Sequence, residues 1–445
     1  KVIEVSGLVQ VSGIITISGH VKFIGTNEGT LQWTKGFWNA IVVNEGASAT
    51  FEDVTLDGND KTFDRSALLF KGTVAFNAGT IVKSFESTGY ARAEEGTKGV
   101  IAVFEKGILN IYDGAMITGN TSERGGIISI YQDQDQTDKE TTATLNMYGG
   151  TIEKNGTCTD AVIWNWFGYL NIYGGTVKAG GNVYAVEGRG NMTGFQAVTK
   201  IYGGTFEGEQ KGAVCAGHDT DECQCDFTIT GGVFSGRDAI TVRECGTINI
   251  AGGKFTGTQY ALKNQRGSLT VEGGEFFGES NAYYGTINTM AKEVVVGSSE
   301  NDRENWDGST SLNTYKYVMI GWIDENGINH HNTVLENAGV LTSGSYYLDE
   351  DKAFDEPVII PDGATVNLCL NGHKLECTGP EDNTVDAAVI VNKGGTLNLR
   401  DCSTDGCGSI KGTNTAIGVL VNGTFNIDSG KVEGNIYGIN GTGDG

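Results

Sequence analysis

The stretch LNIYGGTV, residues 170–177, carries the pattern that decides the fold of this chain. Hydrophobic residues alternate with polar ones, and a pair of glycines precedes the next hydrophobic residue. Copies of the pattern, one of them looser, lie at 109–116, 145–152, 200–206, 227–234, 248–255 and 269–276. The second glycines fall at 114, 150, 175, 204, 232, 253 and 274, so neighbouring copies are 21 to 36 residues apart. Self-similarity at such periods indicates a repeat architecture.

A second motif, a short apolar run that ends near a glycine, lies between these copies. Its members are 40–43, 67–70, 100–103, 127–130, 161–163 and 239–242. Each repeat therefore contains two or three short strands separated by glycine turns, which is enough for one triangular coil. A unit this small buries its apolar face only by stacking on its neighbours. The spacing leaves no room for crossover helices. We predict an all-β fold, a right-handed parallel β-helix, with the hand taken from the preference of parallel crossovers.

The alternation also predicts which side chains face the interior. Leu170 and Ile172 share one face of their strand, and Asn171 and Tyr173 share the other. The aliphatic pair should line the core, and the paired glycines should form a tight corner that requires a positive φ.

Composition supports a folded chain with an exposed, acidic surface. The 445 residues include 68 glycines but only 3 prolines, and 38% are apolar, which argues against disorder. The net charge of −24 disfavours nucleic acids and anionic membrane surfaces as partners. No apolar run is long enough to span a bilayer. We therefore expect no nucleic-acid partner and no membrane insertion.

The repeats divide the chain into three segments. Residues 1–291 are predicted to form a first parallel β-helix, and residues 292–345 an irregular linker with a small strand element. Residues 346–445 repeat the pattern as a second parallel β-helix that stops within a repeat. We expect the same polypeptide to continue at both ends.

Nine cysteines, an odd number, leave at least one free or paired elsewhere. Cys223 and Cys225 form a CxC pair, but no second ligand pair for zinc follows. A disulfide between neighbouring coils, from Cys225 or Cys223 to Cys245, is the more plausible interpretation. In a reducing habitat the cysteines would instead be small buried residues.

A strip of aromatic and amide side chains is the main candidate binding site. One motif position is occupied in four successive coils by Tyr112, Tyr148, Tyr173 and Tyr202. The position two before it holds Asn110, Asn146, Asn171 and, in the fourth coil, Lys200. Coils about 4.8 Å apart would spread the rings over roughly 14 Å. Such a strip suits a glycan, and the alternative is a self-stacking ladder that stabilises the sheet. Trp166, with Trp164, either extends the strip or belongs to the core.

Catalytic and metal sites have weaker signals. Asp133, Asp135 and Asp138 alternate in a loop as calcium ligands do, but the glycine and distal glutamate of an EF-hand loop are missing, so a solvated loop is the alternative. His218 lies in a cysteine-rich loop and is expected to be solvated rather than catalytic. The sequence shows no recurring outward aspartate and no titratable cluster.

Three segments of the second ladder resemble a known family. Residues 369–375, 394–402 and 423–430 are similar to β-helix repeats in large surface proteins of Gram-positive gut anaerobes, and the resemblance covers most of the chain. Such proteins are regarded as adhesins or surface-layer components. The resemblance therefore implies an extracellular location on the cell surface of a Gram-positive bacterium.

Three functional hypotheses follow. The first is a non-catalytic adhesin or stalk module, without a cofactor, that binds a glycan or a host or bacterial surface protein. The second is a carbohydrate-active enzyme of the pectin-lyase-like fold, a polysaccharide lyase or glycoside hydrolase, with its site in loops near 131–143 and 217–226. The third is a purely structural spacer. Regularity without a titratable cluster favours the first and third.

Overall fold

The computed structural model describes residues 1–89, 98–131, 143–153, 155–190, 196–219, 224–290, 294–299, 301–321, 333–378, 387–401, 408–413, 415, 417–427 and 429–441. The regular structure of these residues is β-strand, apart from one 3-10 turn at Leu312–Thr314. The strands pair with their counterparts in neighbouring coils in parallel register. The prediction of an all-β parallel β-helix is confirmed. The hand of the coil stays a prediction.

Contacts divide the chain into two units. The first comprises Lys1–Thr270, Phe276–Thr289 and Ser311–Tyr317, and the second Val271–Glu275, Met290–Thr310 and Val318–Gly445. The units alternate along the chain between residues 270 and 318. The segment boundaries at 291 and 345 therefore stay predictions.

The earlier coils of the chain have three strands each, which stack into a first, a second and a third face. The first face contains Ile15–Ile17, Ile41–Val43, Leu68–Phe70, Ile101–Phe104, Ile128–Tyr131, Ala161–Asn165, Tyr184–Gly188, Gly212–Ala216 and Asn281–Tyr284. The second contains Ser48–Glu52, Thr73–Phe76, Ile108–Ile111, Thr144–Met147, Gly168–Ile172, Gln196–Ile201, Gln224–Ile229, Gly246–Ile250 and Ser268–Val271. The third contains Thr55–Phe63, Ile81–Ser87, Met116–Thr118, Thr121–Ser122, Thr151–Glu153, Thr176–Ala179, Thr205–Gly208 and Gly274–Gly278.

Four long strands of the first unit pass from one face to the next. Val2–Val11 and His20–Trp33 continue from the second face into the third. Val233–Val242 and Lys254–Asn264 continue from the third face into the first. These strands bend without a loop, and the pairing of the first two shifts register at the corner.

The interior is filled by the residues that the alternation predicted. Leu109, Leu145 and Leu170 are fully buried and lie in register on successive coils of the second face. A second interior column lies on the third face and consists of stacked phenyl rings whose centroids are 4.7–4.9 Å apart. Its members are Phe206, Phe234, Phe255 and Phe276. Identical side chains thus pack on one another from coil to coil.

The glycine pairs form the corner between the second and third faces. The second glycine has a positive φ in all seven copies, from 79° at Gly114 to 134° at Gly274. At Gly204 a Cβ atom would also lie 2.9 Å from the carbonyl oxygen of Gly175 on the coil below. Only glycine combines this conformation with so close an approach, and the prediction of positive φ is confirmed.

Short elements follow the last regular coils of the first unit. They are Thr289–Met290, Val294–Ser299, Asp302–Asn305, the 3-10 turn and Tyr317–Ile320. Val294–Ser299 and Asp302–Asn305 pair antiparallel, unlike the strands of the coils.

The later strands of the chain form three parallel sheets. One contains Thr333–Val334, Gly344–Tyr347, Thr365–Cys369, Thr396–Arg400 and Thr424–Ile427. Another contains Gly339–Val340, Val358–Ile360, Ala387–Val391, Ile417–Val421 and Tyr437–Gly441. The third contains Lys352–Phe354, Lys374–Cys377, Ser409–Gly412 and Lys431–Glu433. Their buried faces enclose one aliphatic core, which includes Val366, Leu397 and Val389. None of the described residues forms a helix long and apolar enough to cross a membrane.

Candidate functional site

The four predicted tyrosines form one stack on the outer surface of the second face. The ring centroids are 5.1 Å apart between Tyr112 and Tyr148, 5.0 Å between Tyr148 and Tyr173, and 4.9 Å between Tyr173 and Tyr202. Neighbouring ring planes lie within 11° of parallel. Parallel register brings the rings together, because each one follows the last residue of an equivalent strand.

The orientation of these rings limits what the strip can bind. Tyr112, Tyr148 and Tyr173 are 40–46% exposed, but the ring faces are directed toward one another, with neighbouring centroids 5.0–5.1 Å apart. Partial burial, and the tyrosines on either side, raise the pKa of Tyr148. Solvent meets ring edges and hydroxyl groups along the strip. A sugar ring can therefore stack on an aromatic face only at an end of the column.

The predicted asparagines form a hydrogen-bonded ladder beside the tyrosines. Asn146 Nδ2 donates to Asn110 Oδ1 at 2.9 Å, and Asn171 Nδ2 donates to Asn146 Oδ1 at 2.9 Å. Lys200 occupies the next rung and ends the ladder. Each bond between coils uses amide groups that a glycan would otherwise contact.

An equivalent ladder in the second unit shows whether the asparagines depend on neighbouring tyrosines. Asn398 donates to Asn367 at 2.8 Å, and Asn426 donates to Asn398 at 2.8 Å. The positions two residues later hold Cys369 and Arg400 rather than tyrosines. The amide ladder thus forms without an aromatic strip, which indicates that it stabilises the stacking of coils.

An open pocket lies at the Tyr112 end of the tyrosine stack. Asn77 occupies the equivalent position one coil below, and its Nδ2 donates to Glu52 Oε2 at 3.1 Å. The pocket is lined by Tyr112 and Asn77, by the small side chains of two strands and by carboxylates. These further residues are Thr50, Glu52, Asp53, Ala75, Ala78 and Asp113. The terminal ring, the small residues and the carboxylates therefore border the same space.

The structure does not bring Trp166 to the tyrosine strip. Trp164 and Trp166 both lie on the first face, where they stack at 5.0 Å and are buried. Trp166 also packs on Phe167, and its ring centroid lies 6.4 Å from that of Tyr131. Of the two alternatives, extension of the strip is wrong, because Trp166 directly follows Ala161–Asn165, a strand on a different side of the coil. Both tryptophans belong instead to a buried hydrophobic cluster.

The two tryptophans and four charged residues form a cluster on the outward side of the first face. We name it the first-face cluster, and its members are Lys98, Asp160, Trp164, Trp166, Glu187 and Arg189. Arg189 binds two carboxylates, with Nε donating to Glu187 Oε1 at 2.9 Å and Nη2 lying 3.0 Å from Asp160 Oδ1. The Nζ atom of Lys98 lies 3.0 Å from the Trp166 ring centroid. One guanidinium group thus holds two acids beside an aromatic surface.

Burial shifts the pKa of several groups in this region. Glu187 is 2% exposed, and burial raises its pKa although Arg189 opposes the shift. Burial lowers the pKa of Lys98 to about 8, against the attraction of Asp160. Burial also raises the pKa of Cys215, the next residue in the Glu187 column, to about 12. The expectation that the chain has no titratable cluster is therefore wrong.

His218 does not behave as the solvated loop residue that the sequence predicts. Its ring is half-buried, and Nδ1 is enclosed without a hydrogen-bond partner among the described residues. Burial, and then the charges of Arg189 and Arg243, lower its pKa. The backbone of His218 also contacts Cys245 Sγ of the following coil, a contact that the loop sequence does not indicate.

The cysteine and calcium predictions have separate outcomes. Cys225 is a buried free thiol and Cys245 is disulfide-bonded, so the predicted pairing of Cys225 with Cys245 is wrong. Cys225 points into the coil, where its Sγ donates to Gly188 O at 3.1 Å. Cys223 and the candidate calcium ligands Asp133, Asp135 and Asp138 lie outside the described residues. In the described part of the chain, no three acidic, histidine or cysteine side chains are grouped to hold a metal.

A signal for the first-face cluster exists in the sequence, but it requires correct strand alignment. Strand pairing aligns one outward-facing position of the first face from coil to coil. In chain order it is occupied by Leu69, Ala102, Ser129, Trp164, Glu187, Cys215, Thr241 and Lys263. The change from small or apolar to aromatic and charged residues marks the site. Loops of unequal length separate these strands, so the motif spacing does not align them.

No family model, curated protein or solved structure matches this chain. The tyrosine stack and the first-face cluster are therefore the two features of the chain that indicate a function.

Proposed function

We propose that this chain is a non-catalytic β-helical module, of adhesin or stalk type, from the surface of a Gram-positive bacterium, and that it binds glycans. The observation that carries the proposal is the pocket at the end of the tyrosine stack, where the terminal ring Tyr112 borders open space. The likeness of its repeats to those of surface proteins supports the location.

The chemistry of this pocket suits a sugar. Stacking on Tyr148 covers one face of Tyr112, and the other face is directed toward the coil of Asn77. The carboxylates of Asp53 and Asp113 border the pocket without a hydrogen bond or ion pair among the described residues. A sugar can place its C–H face on the ring and donate its hydroxyl groups to these carboxylates.

Two single substitutions test the proposal on a glycan array followed by calorimetry. Tyr112→Ala removes the terminal face, so we expect affinity for the glycan that the wild type binds to fall about tenfold, equivalent to about 1.4 kcal/mol. Tyr173→Ala is the matched control, because it removes an equally exposed ring from the middle of the stack. It should change affinity less than about twofold, or about 0.4 kcal/mol.

Equal losses in the two variants would contradict binding at the end of the stack. Absence of any glycan ligand would favour the structural spacer instead. The sugars recovered after incubation should be intact, and new reducing ends or unsaturated products would contradict the non-catalytic part of the proposal.

A carbohydrate-active enzyme is the second candidate, and the first-face cluster favours it. Glu187 is buried with a raised pKa, while Asp160 is bound to the same arginine in a more exposed position. Two carboxylates in unlike environments are the arrangement that acid–base cleavage of glycosides requires. If products form from pectin, alginate or mucin glycans, Glu187→Gln should abolish them.

A further inference from the structure

The strand register of the first face places two arginines on either side of a glycine. Strand pairing aligns Gly188, Ala216 and Val242 on three successive coils. The residues that directly follow them are, in the same order, Arg189, Gly217 and Arg243. Gly217 N donates to Gly188 O at 2.9 Å, and Arg243 N donates to Ala216 O at 2.8 Å. With coils about 4.8 Å apart, the two arginine backbones are about 10 Å apart with no side chain between them. We name this arrangement the glycine notch.

Gly217 cannot be replaced by a residue with a side chain. Its φ is 90°, and a Cβ atom would lie 2.4 Å from the backbone nitrogen of Gly246. Glycine is therefore required at this position, and no side chain separates the two arginines.

Arg243 has fewer partners than Arg189. Its side chain is 18% exposed, and its nearest carboxylate in the described chain, Asp219, is 3.7 Å from Nη1 and 67% exposed. The Nε atom of Arg243 is buried without a hydrogen-bond partner among the described residues. Arg189, by contrast, contacts Glu187 at 2.9 Å and Asp160 at 3.0 Å. A half-buried guanidinium with unused donors gains free energy when an anion binds.

Neighbouring groups add hydrogen-bonding capacity, and the nearby carboxylates Glu187 and Asp160 are already bound by Arg189. His218 lies next to Gly217, and its enclosed Nδ1 has no partner among the described residues. Cys215 is a neutral thiol at pH 7, because burial raises its pKa to about 12. Trp164 is 3% exposed, and its indole N–H has no acceptor in the described part of the chain. The Arg189 guanidinium lies 5.5 Å from the Trp164 ring centroid, so an unused donor and an aromatic surface adjoin the notch.

We propose that the glycine notch binds the carboxylate of an acidic sugar. A planar guanidinium matches a carboxylate with two parallel hydrogen bonds, which Arg243 has free to give. His218, next to Gly217, and the indole N–H of Trp164, near Arg189, have hydrogen-bonding capacity of the kind that sugar hydroxyls use. The site lies on a different face from the Tyr112 pocket, so either proposal can fail while the other holds.

The sugar specificity is tested by calorimetry with matched acidic and neutral ligands. We use trigalacturonate against galactotriose, and sialyllactose against lactose, so that uronate and sialate are distinguished as sources of the carboxylate. At least one acidic sugar should bind about tenfold or more tightly than its neutral counterpart. Equal binding of acid and neutral forms, or binding of neither, overturns the proposal. Inorganic phosphate that competes as well as the sugar at equal concentration overturns the sugar part.

Three substitutions test the position of the site. Arg243→Gln should weaken binding of the acidic sugar about tenfold. Arg266→Gln is the matched control, because Arg266 is 76% exposed and lies 3.1 Å from its own partner Glu244. This control should bind as the wild type does.

Asp219→Asn distinguishes binding of the sugar by Arg243 from a purely structural role of Arg243. It removes the carboxylate that competes for Arg243, so we expect the acidic sugar to bind more tightly, by about threefold or more, and with less dependence on salt. Unchanged or weaker binding in this variant overturns the proposal. This test remains valid even if Arg243→Gln fails to fold.

Discussion

Lys98 shows how strongly a single residue can depart from its expected behaviour on this surface. Its ammonium group lies over Trp166 and 5.3 Å from the ring centroid of Trp164. Burial lowers its pKa to about 8, and the attraction of Asp160 only partly offsets the shift. The folded protein therefore bears a cost for the charge of Lys98 at neutral pH that the unfolded chain does not.

We predict that Lys98→Met stabilises the protein near pH 7 and that the gain disappears at high pH. Between the folded pKa of about 8 and the ordinary value of 10.5, the unfolded chain keeps a proton that the folded protein has released. Wild-type stability thus rises with pH across this window. Because Lys98 is partly exposed, its charge costs less than a fully buried one. The free energy of unfolding at pH 7 should therefore rise by about 1 kcal/mol in the variant. Urea unfolding at pH 7, 9 and 10.5 measures it.

Lys106→Met is the control for this prediction. Lys106 is exposed and forms an ion pair with Glu45 at 2.8 Å, so its removal should not stabilise the protein at pH 7. A gain for Lys98→Met that is equal at all three pH values would contradict the role of its ionisation.

At the scale of single strands, ladders of identical side chains join the coils. Asn146 both donates to Asn110 and accepts from Asn171, whereas Asn110 only accepts from Asn146 in the described ladder. The interior phenyl column and the exterior tyrosine column repeat the same principle with aromatic rings. In-register parallel pairing makes such ladders favourable, because equivalent atoms come within contact distance on every coil.

We predict that Asn146→Ala destabilises the first unit about twice as much as Asn110→Ala. The first substitution removes two hydrogen bonds between coils and the second removes one. At about 1 kcal/mol for each bond, the losses should be about 2 and about 1 kcal/mol. Urea unfolding followed by circular dichroism measures both. Equal losses would show that the ladder bonds do not contribute separately.

At the scale of the whole first unit, the described strands of each coil pair with those of the coils next to it. The strand Gln224–Ile229, for example, pairs with Gln196–Ile201 below and Gly246–Ile250 above. Stability in such a solenoid is a sum of local terms between neighbours. Damage to one coil should therefore spread over a short distance along the axis.

We predict that Phe234→Ala loosens nearby coils and leaves distant ones unchanged. The ring of Phe234 is fully buried between Phe206 and Phe255, and its removal should cost about 3–5 kcal/mol. Hydrogen exchange with mass spectrometry should show faster exchange in Gly246–Ile250 and unchanged exchange in Thr73–Phe76. Faster exchange in both strands would contradict independent coils.

The repeat pattern was sufficient to predict the all-β parallel coil, the buried leucines and the glycine corners. Each repeat must present the same apolar and glycine positions to its neighbours, so the constraints of the fold recur visibly along the chain. The tyrosine and asparagine columns were predictable for the same reason. Their repetition did not reveal that the rings turn their faces toward one another and their edges outward.

The first-face cluster could not be predicted from the repeats. Its members, from Lys98 to Arg189, are of different types, occur once each and are separated by loops of unequal length. Only the register of folded coils brings Asp160 and Glu187 to one guanidinium and leaves Gly217 between two arginines. Repetition in the sequence reports what every coil needs for packing, whereas a site depends on the residues in which neighbouring coils differ.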